Sequence, residues 1–168
     1  CFTQHQGKKN LQNPLVLADQ PWEGWRVEIY GNVLYDQQEK LFKMWYLAEC
    51  AGRFAGRGVT CYATSRDGIT WVKPLVGTVD DGSGRPNNIV ANCHLASVVK
   101  DLAESDPKRR YKMTCAKPDP VHNYGYWTMV SPDGFHWTQE SPSPIAPDFD
   151  VITSQLHAWY TCPLPACL

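Results

Sequence analysis

The sequence contains no apolar run approaching the roughly 20 residues that a membrane span requires, and no leader pattern stands at its start, which is Cys1. It has no long run of charge of one sign. The net charge is −1, and the single basic cluster, Lys108-Arg109-Arg110, is preceded by Glu104 and Asp106. A phosphate-backbone binder needs a basic face, so nucleic acid is excluded as a partner, as is a membrane. The seven cysteines form no Cys-x-x-Cys pair and the five histidines show no zinc spacing, which argues against a closed metal site. His-Glu-x-x-His, a glycine-rich phosphate loop and Gly-x-Ser-x-Gly are missing as well; no cofactor is expected. No window of 12 or more residues carries a convincing helical amphipathic period. The best, 101–112, is broken by Pro107.

What the sequence does have is aromatic and β-branched residues in short runs. Apolar residues make up 43 % of it and charged residues 20 %, with seven Trp and eight Tyr. That load fits a packed β core and also fits surfaces that stack on sugars. Leu41 to Ala48 is the strongest strand pattern. Further strands are expected over 25–30, 33–35, 59–64, 69–73, 95–100, 110–116, 124–130 and 135–138, separated by Gly-, Pro- and Asp-rich turns. Cys50, Cys61 and Cys115 fall in or beside these runs and read as small core residues, which suits a reducing, cytoplasmic setting. Cys162 and Cys167 lie in a Pro-rich tail.

A repeat organises these strands. Lys43-Met44-Trp45-Tyr46 aligns with Lys112-Met113-Thr114-Cys115, and Tyr62 through Trp71 aligns with Thr128 through Trp137. Each copy carries Ser-x-Asp-Gly-x-x-Trp, and the two Asp-Gly pairs lie 66 residues apart. In such a turn Ser and Asp accept backbone N–H bonds, Gly supplies a positive φ, and the Trp folds back on the sheet. The fold class is therefore all-β: residues 1–12 disordered or extended, a propeller-like β domain over 13–152 built of units at about 28–75 and 94–140 with part of a third, and an atypical tail over 153–168. Two units and a fragment do not close a ring of four or more sheets. A homo-oligomer that covers the open sheet edges is expected.

The ordered set Asn13-Pro14, Gly31 through Asp36, Lys43 through Tyr46, Tyr62 through Trp71, Asn87 through Val90, Val98 through Asp101, Arg110-Tyr111-Lys112 and Ser131 through Trp137 resembles the five-bladed β-propeller glycosidases of the fructosidase and arabinanase type, from about residue 13 to 152. The resemblance implies a glycoside or oligosaccharide partner and three acids gathered on the propeller axis. By position these are Glu28, Asp101 and Asp150, serving as nucleophile or base, general acid, and stabiliser. Lys100 and Leu102 flank Asp101 where the fructosidases have Arg and Pro. Arg26 is a candidate clamp, His94 precedes the strand that ends at Asp101, and Trp22 and Trp25 form a candidate stacking platform. Three functions stand open: a glycosidase, a non-catalytic carbohydrate- or protein-binding β module, and a self-assembling β module.

Overall fold

The computed structural model describes residues 3, 5–49, 58–119 and 123–147. The first sheet contains β1 (Val27–Glu28), β2 (Val33–Asp36), β3 (Leu41–Glu49), β4 (Gly58–Ser65), β5 (Trp71–Val72) and β6 (Ile89–Ala91). The second contains β7 (His94–Lys100), β8 (Tyr111–Asp119), β9 (Asn123–Ser131), β10 (Thr138–Gln139) and β11 (Ala146–Pro147), with a 3-10 turn at Pro107–Arg109 between β7 and β8. All pairings between strands are antiparallel. β1 and β2 both pair with β3, and β5 and β6 both pair with β4. The first sheet therefore has four strand positions, the first and last each split in two. The second repeats this as β7, β8, β9 and a split β10/β11. The architecture is all-β, propeller-like and not closed. Among the described residues no helix is long and apolar enough to cross a membrane.

The sequence pattern places β3, β4, β7, β8 and β9 well, because each is a run of aromatic and β-branched residues. It is less accurate where tertiary contacts decide. The expected strand over 25–30 pairs only at Val27 and Glu28. Residues 29–32 bulge toward the second sheet, where Gly31 lies against the Ala96 carbonyl with no room for a Cβ, and the Asn32 side chain brackets the Val98 backbone N–H and C=O at 3.0 and 2.7 Å. Strands expected from Ile69 and Phe135 begin later, at Trp71 and Thr138, since the preceding residues are bound into the turn. β6 is an added strand that strand patterning alone does not mark. Asp148–Ile152, the expected start of a third unit, lies outside the described residues.

The two turns are built alike. The N–H groups of Gly68 and Gly134 bond Ser65 and Ser131 Oγ at 2.9 and 2.8 Å. Asp67 Oδ1 accepts from Ile69 and Thr70 N–H at 2.8 and 2.7 Å, and Asp133 Oδ1 accepts from Phe135 and His136 N–H at 2.9 Å each. The N–H groups of Thr70 and Ile69 hold the Asp67 carboxyl down to about 2. Asp133 is held to about 2 against the upward push of burial, by the N–H groups of His136 and Phe135. A carboxyl lowered by folding contributes stability above its unfolded pKa and loses it on protonation. These turns should hold fully above about pH 4 and weaken as pH falls toward 2. Urea melts should show a falling midpoint across that window, and a shallower fall in the Asp67→Asn, Asp133→Asn double variant than in the parent.

The core lies on both faces of the first sheet. On one face Trp22, Met44, Tyr46, Ala48, Val59, Cys61, Ala63 and Ile89 cluster. On the other, Trp45 and Tyr62 pack against Ala96, Val98, Tyr111, Met113 and Cys115 of the second sheet. Trp71 and Trp137 pack against the first and second cluster respectively, as the turn motif implies. Trp45 Nε1 donates to the Gly134 carbonyl at 2.9 Å, and a Cβ on Gly134 would meet Trp45 Cζ2 at 2.8 Å. Gly68→Ala should cost about 1 kcal/mol through its positive φ alone. Gly134→Ala should cost about 2–3 kcal/mol, because it also overpacks the sheet interface; thermal melts of the two variants will separate the terms.

Candidate functional site

Strand register aligns the two sheets residue by residue. Phe42 opposite Ser65 corresponds to Tyr111 opposite Ser131. Tyr35 then corresponds to Lys100, and the next residues, Asp36 and Asp101, correspond to each other. At the far end Leu47 corresponds to Ala116, so their partners Glu28 and His94 correspond. The two sheets thus have an aspartate end and a glutamate end.

At the aspartate end each sheet carries an Asp, a Glu three residues on and a Lys from the next strand. Asp36 Oδ2 meets Lys43 Nζ at 3.1 Å, Lys100 Nζ at 2.7 Å and Tyr111 Oη at 3.2 Å, while Lys43 Nζ also meets Glu39 at 2.6 Å. In the second sheet Lys112 Nζ meets Asp101 at 2.6 Å and Glu104 at 3.1 Å. Burial pushes the Asp36 carboxyl up, but the Lys100 ammonium, the Glu39 N–H and Lys43 hold it well below the carboxylate range. Lys112 holds Asp101 below its ordinary value, and the Asp106 N–H, followed by Lys112, holds Glu104 down to about 2. An open cleft of about 570 Å³ lies beside these groups, lined by Lys43, Lys100, Arg110, Tyr111, Asp133 and Phe135 among others. Its cations are bonded within the fold: Arg110 Nη1 donates to the Asp101 and Leu102 carbonyls at 2.9 and 3.0 Å.

The glutamate end gathers a different set. Arg26 Nη1 meets Glu28 Oε1 at 2.9 Å and Arg26 Nη2 meets Glu49 Oε1 at 3.0 Å. Both carboxylates bond one planar guanidinium, so these two oxygens lie within about 8 Å of each other. The exposed Trp25 ring lies under the guanidinium, 4.7 Å from centroid to Cζ. Glu49 pairs across β3–β4 with Gly58, and a Cβ on Gly58 would meet His94 Cβ at 3.1 Å. The His94 ring meets the Tyr124 ring edge-on at 5.0 Å. Trp25, Arg26, Glu28, Glu49, His94 and Tyr124 therefore share one end of the molecule, where all three side chains of the Glu–Arg–Glu set are partly exposed.

The expected site residues fall as follows. Glu28 and Trp25 both meet Arg26, and His94 lies at the same end, beside Gly58. Asp101 lies at the aspartate end and Glu28 at the glutamate end; within the first sheet those ends, marked by Asp36 opposite Leu41 and Glu28 opposite Leu47, are six register steps or roughly 20 Å of strand apart. Asp150 lies outside the described residues. Trp22 does not flank Trp25 on a platform. It is buried, with Nε1 donating to Asn88 Oδ1 at 2.7 Å, because the chain turns at Pro21–Gly24 and drives it into the core beside Tyr46. Glu49, which shares the Arg26 guanidinium with Glu28, is not singled out by the sequence. Among the described residues no group of three or more His, Cys, Asp or Glu side chains could hold a metal ion.

Two solved structures are similar to this fold. The β-fructofuranosidase of Schwanniomyces occidentalis, complexed with fructosyl-erythritol, aligns with a TM-score of 0.49 and 20 % identity over 70 % of this chain and 23 % of that one. A structure from the GH130 family of mannoside phosphorylases, which contains glycoside hydrolases that target β-1,2 mannosidic linkages in Candida mannan, aligns with a TM-score of 0.48 and 19 % identity over 72 % of this chain and 33 % of that one. No family model matches the chain, and no curated protein matches it. The chain spans about a quarter to a third of the length of the two structures.

Proposed function

We propose that this is a carbohydrate-acting β module whose glycoside site is the glutamate end. The observation that carries this reading is the pair Glu28 and Glu49, drawn within about 8 Å of each other on the Arg26 guanidinium. Glycosidic hydrolysis uses two carboxyl groups about 5–9.5 Å apart across the bond, and the limit set by Arg26 allows a separation in that range. Trp25 supplies an exposed aromatic face for a sugar ring, and His94 adds a polar group from the second sheet. Glu28 keeps the role expected of it, Glu49 takes that of the second carboxylate, and Asp101, held by Lys112, belongs to the fold. Cys61, Cys93 and Cys115 are buried thiols, which fits a reducing compartment.

One observation favours a binding role without turnover. Arg26 occupies the gap between the two carboxylates, where a glycosidic oxygen would have to enter. The two readings separate in one experiment. The full chain is screened against aryl glycosides and oligosaccharides for product release, while NMR shifts of the Trp25 indole N–H report binding. Release of sugar supports hydrolysis; shifts without release support binding alone. A panel that gives neither product nor Trp25 shifts would remove the glycoside assignment.

A further inference from the structure

We propose that three sulfur-bearing side chains held between the two sheets, Cys93, Cys115 and Met129, form a site for the soft monovalent ion Cu(I). Cys115 lies on β8 opposite Trp127 of β9, and Met129, two residues further along β9, is its diagonal neighbour. The Cys115 thiol donates to Met129 Sδ at 3.7 Å. Cys115 is also hydrogen-bonded to Cys93, which stands immediately before β7, the strand that pairs with the other edge of β8. Thr60 of the first sheet fixes Cys93. Its Oγ1 donates to the Cys93 carbonyl at 2.8 Å and lies 3.8 Å from Cys93 Sγ. Both thiols belong to the buried cluster between the sheets. Met129 packs against that cluster and remains partly exposed, which leaves a way in for an ion.

The donor set selects the metal. Thiolate and thioether sulfurs are soft ligands that suit Cu(I) and not hard cations, while a structural Zn(II) site needs four ligands in a tetrahedron. Among the described residues no third His, Cys, Asp or Glu joins the two thiols, so Met129 completes the set. The Cys93 sulfur, followed by burial, pushes the Cys115 thiol up, and its proton stays in place until a metal displaces it. On binding, two S–H bonds break, two Cu–S bonds form to the thiolates and a third forms to Met129. Two protons leave to solvent and no electron is transferred. The filled centre then carries one net negative charge. Lys117 follows Cys115 by two residues on β8 and therefore shares its face. Its Nζ sits over the Trp127 ring, 4.6 Å from the centroid, and its charge favours the Cys115 thiolate. The free thiols fit a reducing compartment, where copper is held as Cu(I).

The test uses the full chain, reduced and free of oxygen, titrated with Cu(I) to one equivalent for each of its seven cysteines. The chain has three methionines, so their methyl signals report the site by NMR. The Met129 methyl should shift, together with the backbone amides of Cys93 and Cys115. The Met44 methyl, in the cluster on the opposite face of the first sheet, should stay in place. Zn(II) should leave all of these signals unmoved. Cys115→Ala should lose the Met129 shift. Met129→Leu conserves volume and keeps the fold, so it supplies a test that does not depend on the folding of Cys115→Ala; its Cys93 and Cys115 amides should need a higher Cu(I) concentration to shift. A Met129 methyl that stays still through seven equivalents, an equal shift with Zn(II), a Met129 shift that persists in Cys115→Ala, or amide shifts as tight in Met129→Leu as in the parent would overturn the proposal.

Discussion

Glu23→Ala will destabilise the fold by about 3–5 kcal/mol, although Glu23 sits in a turn that the sequence presents as polar and exposed. The side chain is fully buried. Its carboxylate accepts from Tyr46 Oη at 2.5 Å, from Lys73 Nζ at 2.7 Å, and from the backbone N–H groups of Asp19 and Gln20 at 2.9 Å each. Lys73 extends the network to the Leu17 carbonyl and to Asp19, and Asn88 links Tyr46 to Trp22. Residues 17–23 are thereby fastened to the first sheet and to the loop before β6. Removing the carboxylate leaves the Lys73 ammonium, which is 9 % exposed, paired with the exposed Asp19 instead of a buried partner, and leaves the Tyr46 hydroxyl without its acceptor; desolvation then works against the folded state. Lys73→Met should cost a similar amount for the mirror-image reason. The Glu23→Leu, Lys73→Met pair should recover part of the loss, because no lone charge remains buried. Urea denaturation of the four proteins measures each term. A loss below about 1 kcal/mol in both single variants would show that the network is solvated in solution.

The second large effect concerns the glutamate end. If a glycoside substrate is found, Glu28→Gln and Glu49→Gln should each lower kcat/KM by about 10³-fold, while each amide still accepts a hydrogen bond from Arg26 and leaves the unfolding midpoint in place. Asp101→Asn should leave turnover close to that of the parent and lower stability instead, since its partner Lys112 is largely buried. Arg26→Ala should free both carboxylates and reduce turnover through lost positioning, with a larger effect on kcat than on KM. Turnover that disappears in Asp101→Asn and survives Glu49→Gln would transfer the chemistry to the aspartate end.

The elements that could be read from the sequence are those whose causes are local. The Ser-x-Asp-Gly-x-x-Trp turns are closed by bonds among seven consecutive residues, so the motif carries its own geometry. The strands of the repeat announce themselves as β-branched and aromatic runs. The site was less legible because antiparallel pairing assembles it. Glu49 reaches Arg26 only through the register that places β1 against the far end of β3, and nothing in its neighbourhood marks it. Glu23 looks like any turn acid until Tyr46 and Lys73 converge on it. The position of Asp101 is duplicated in Asp36, each followed by a Glu three residues on and a Lys in the next strand. The duplication is visible upstream of Lys43 and Lys112, and a duplicated ion cluster fits the framework role proposed for Asp101.

The simple up-and-down order of the sheets has a kinetic consequence. Every strand pairs with a neighbour one or two elements away in the chain, so the entropy lost in closing each pairing is small. Such local pairing favours rapid assembly for a β protein. Each sheet can form on its own hairpins before the Trp45 indole meets the Gly134 carbonyl, and that meeting is the long-range step. Substitutions at Trp45 should therefore accelerate unfolding more than they slow folding, whereas changes within the β8–β9 hairpin should act on the folding limb.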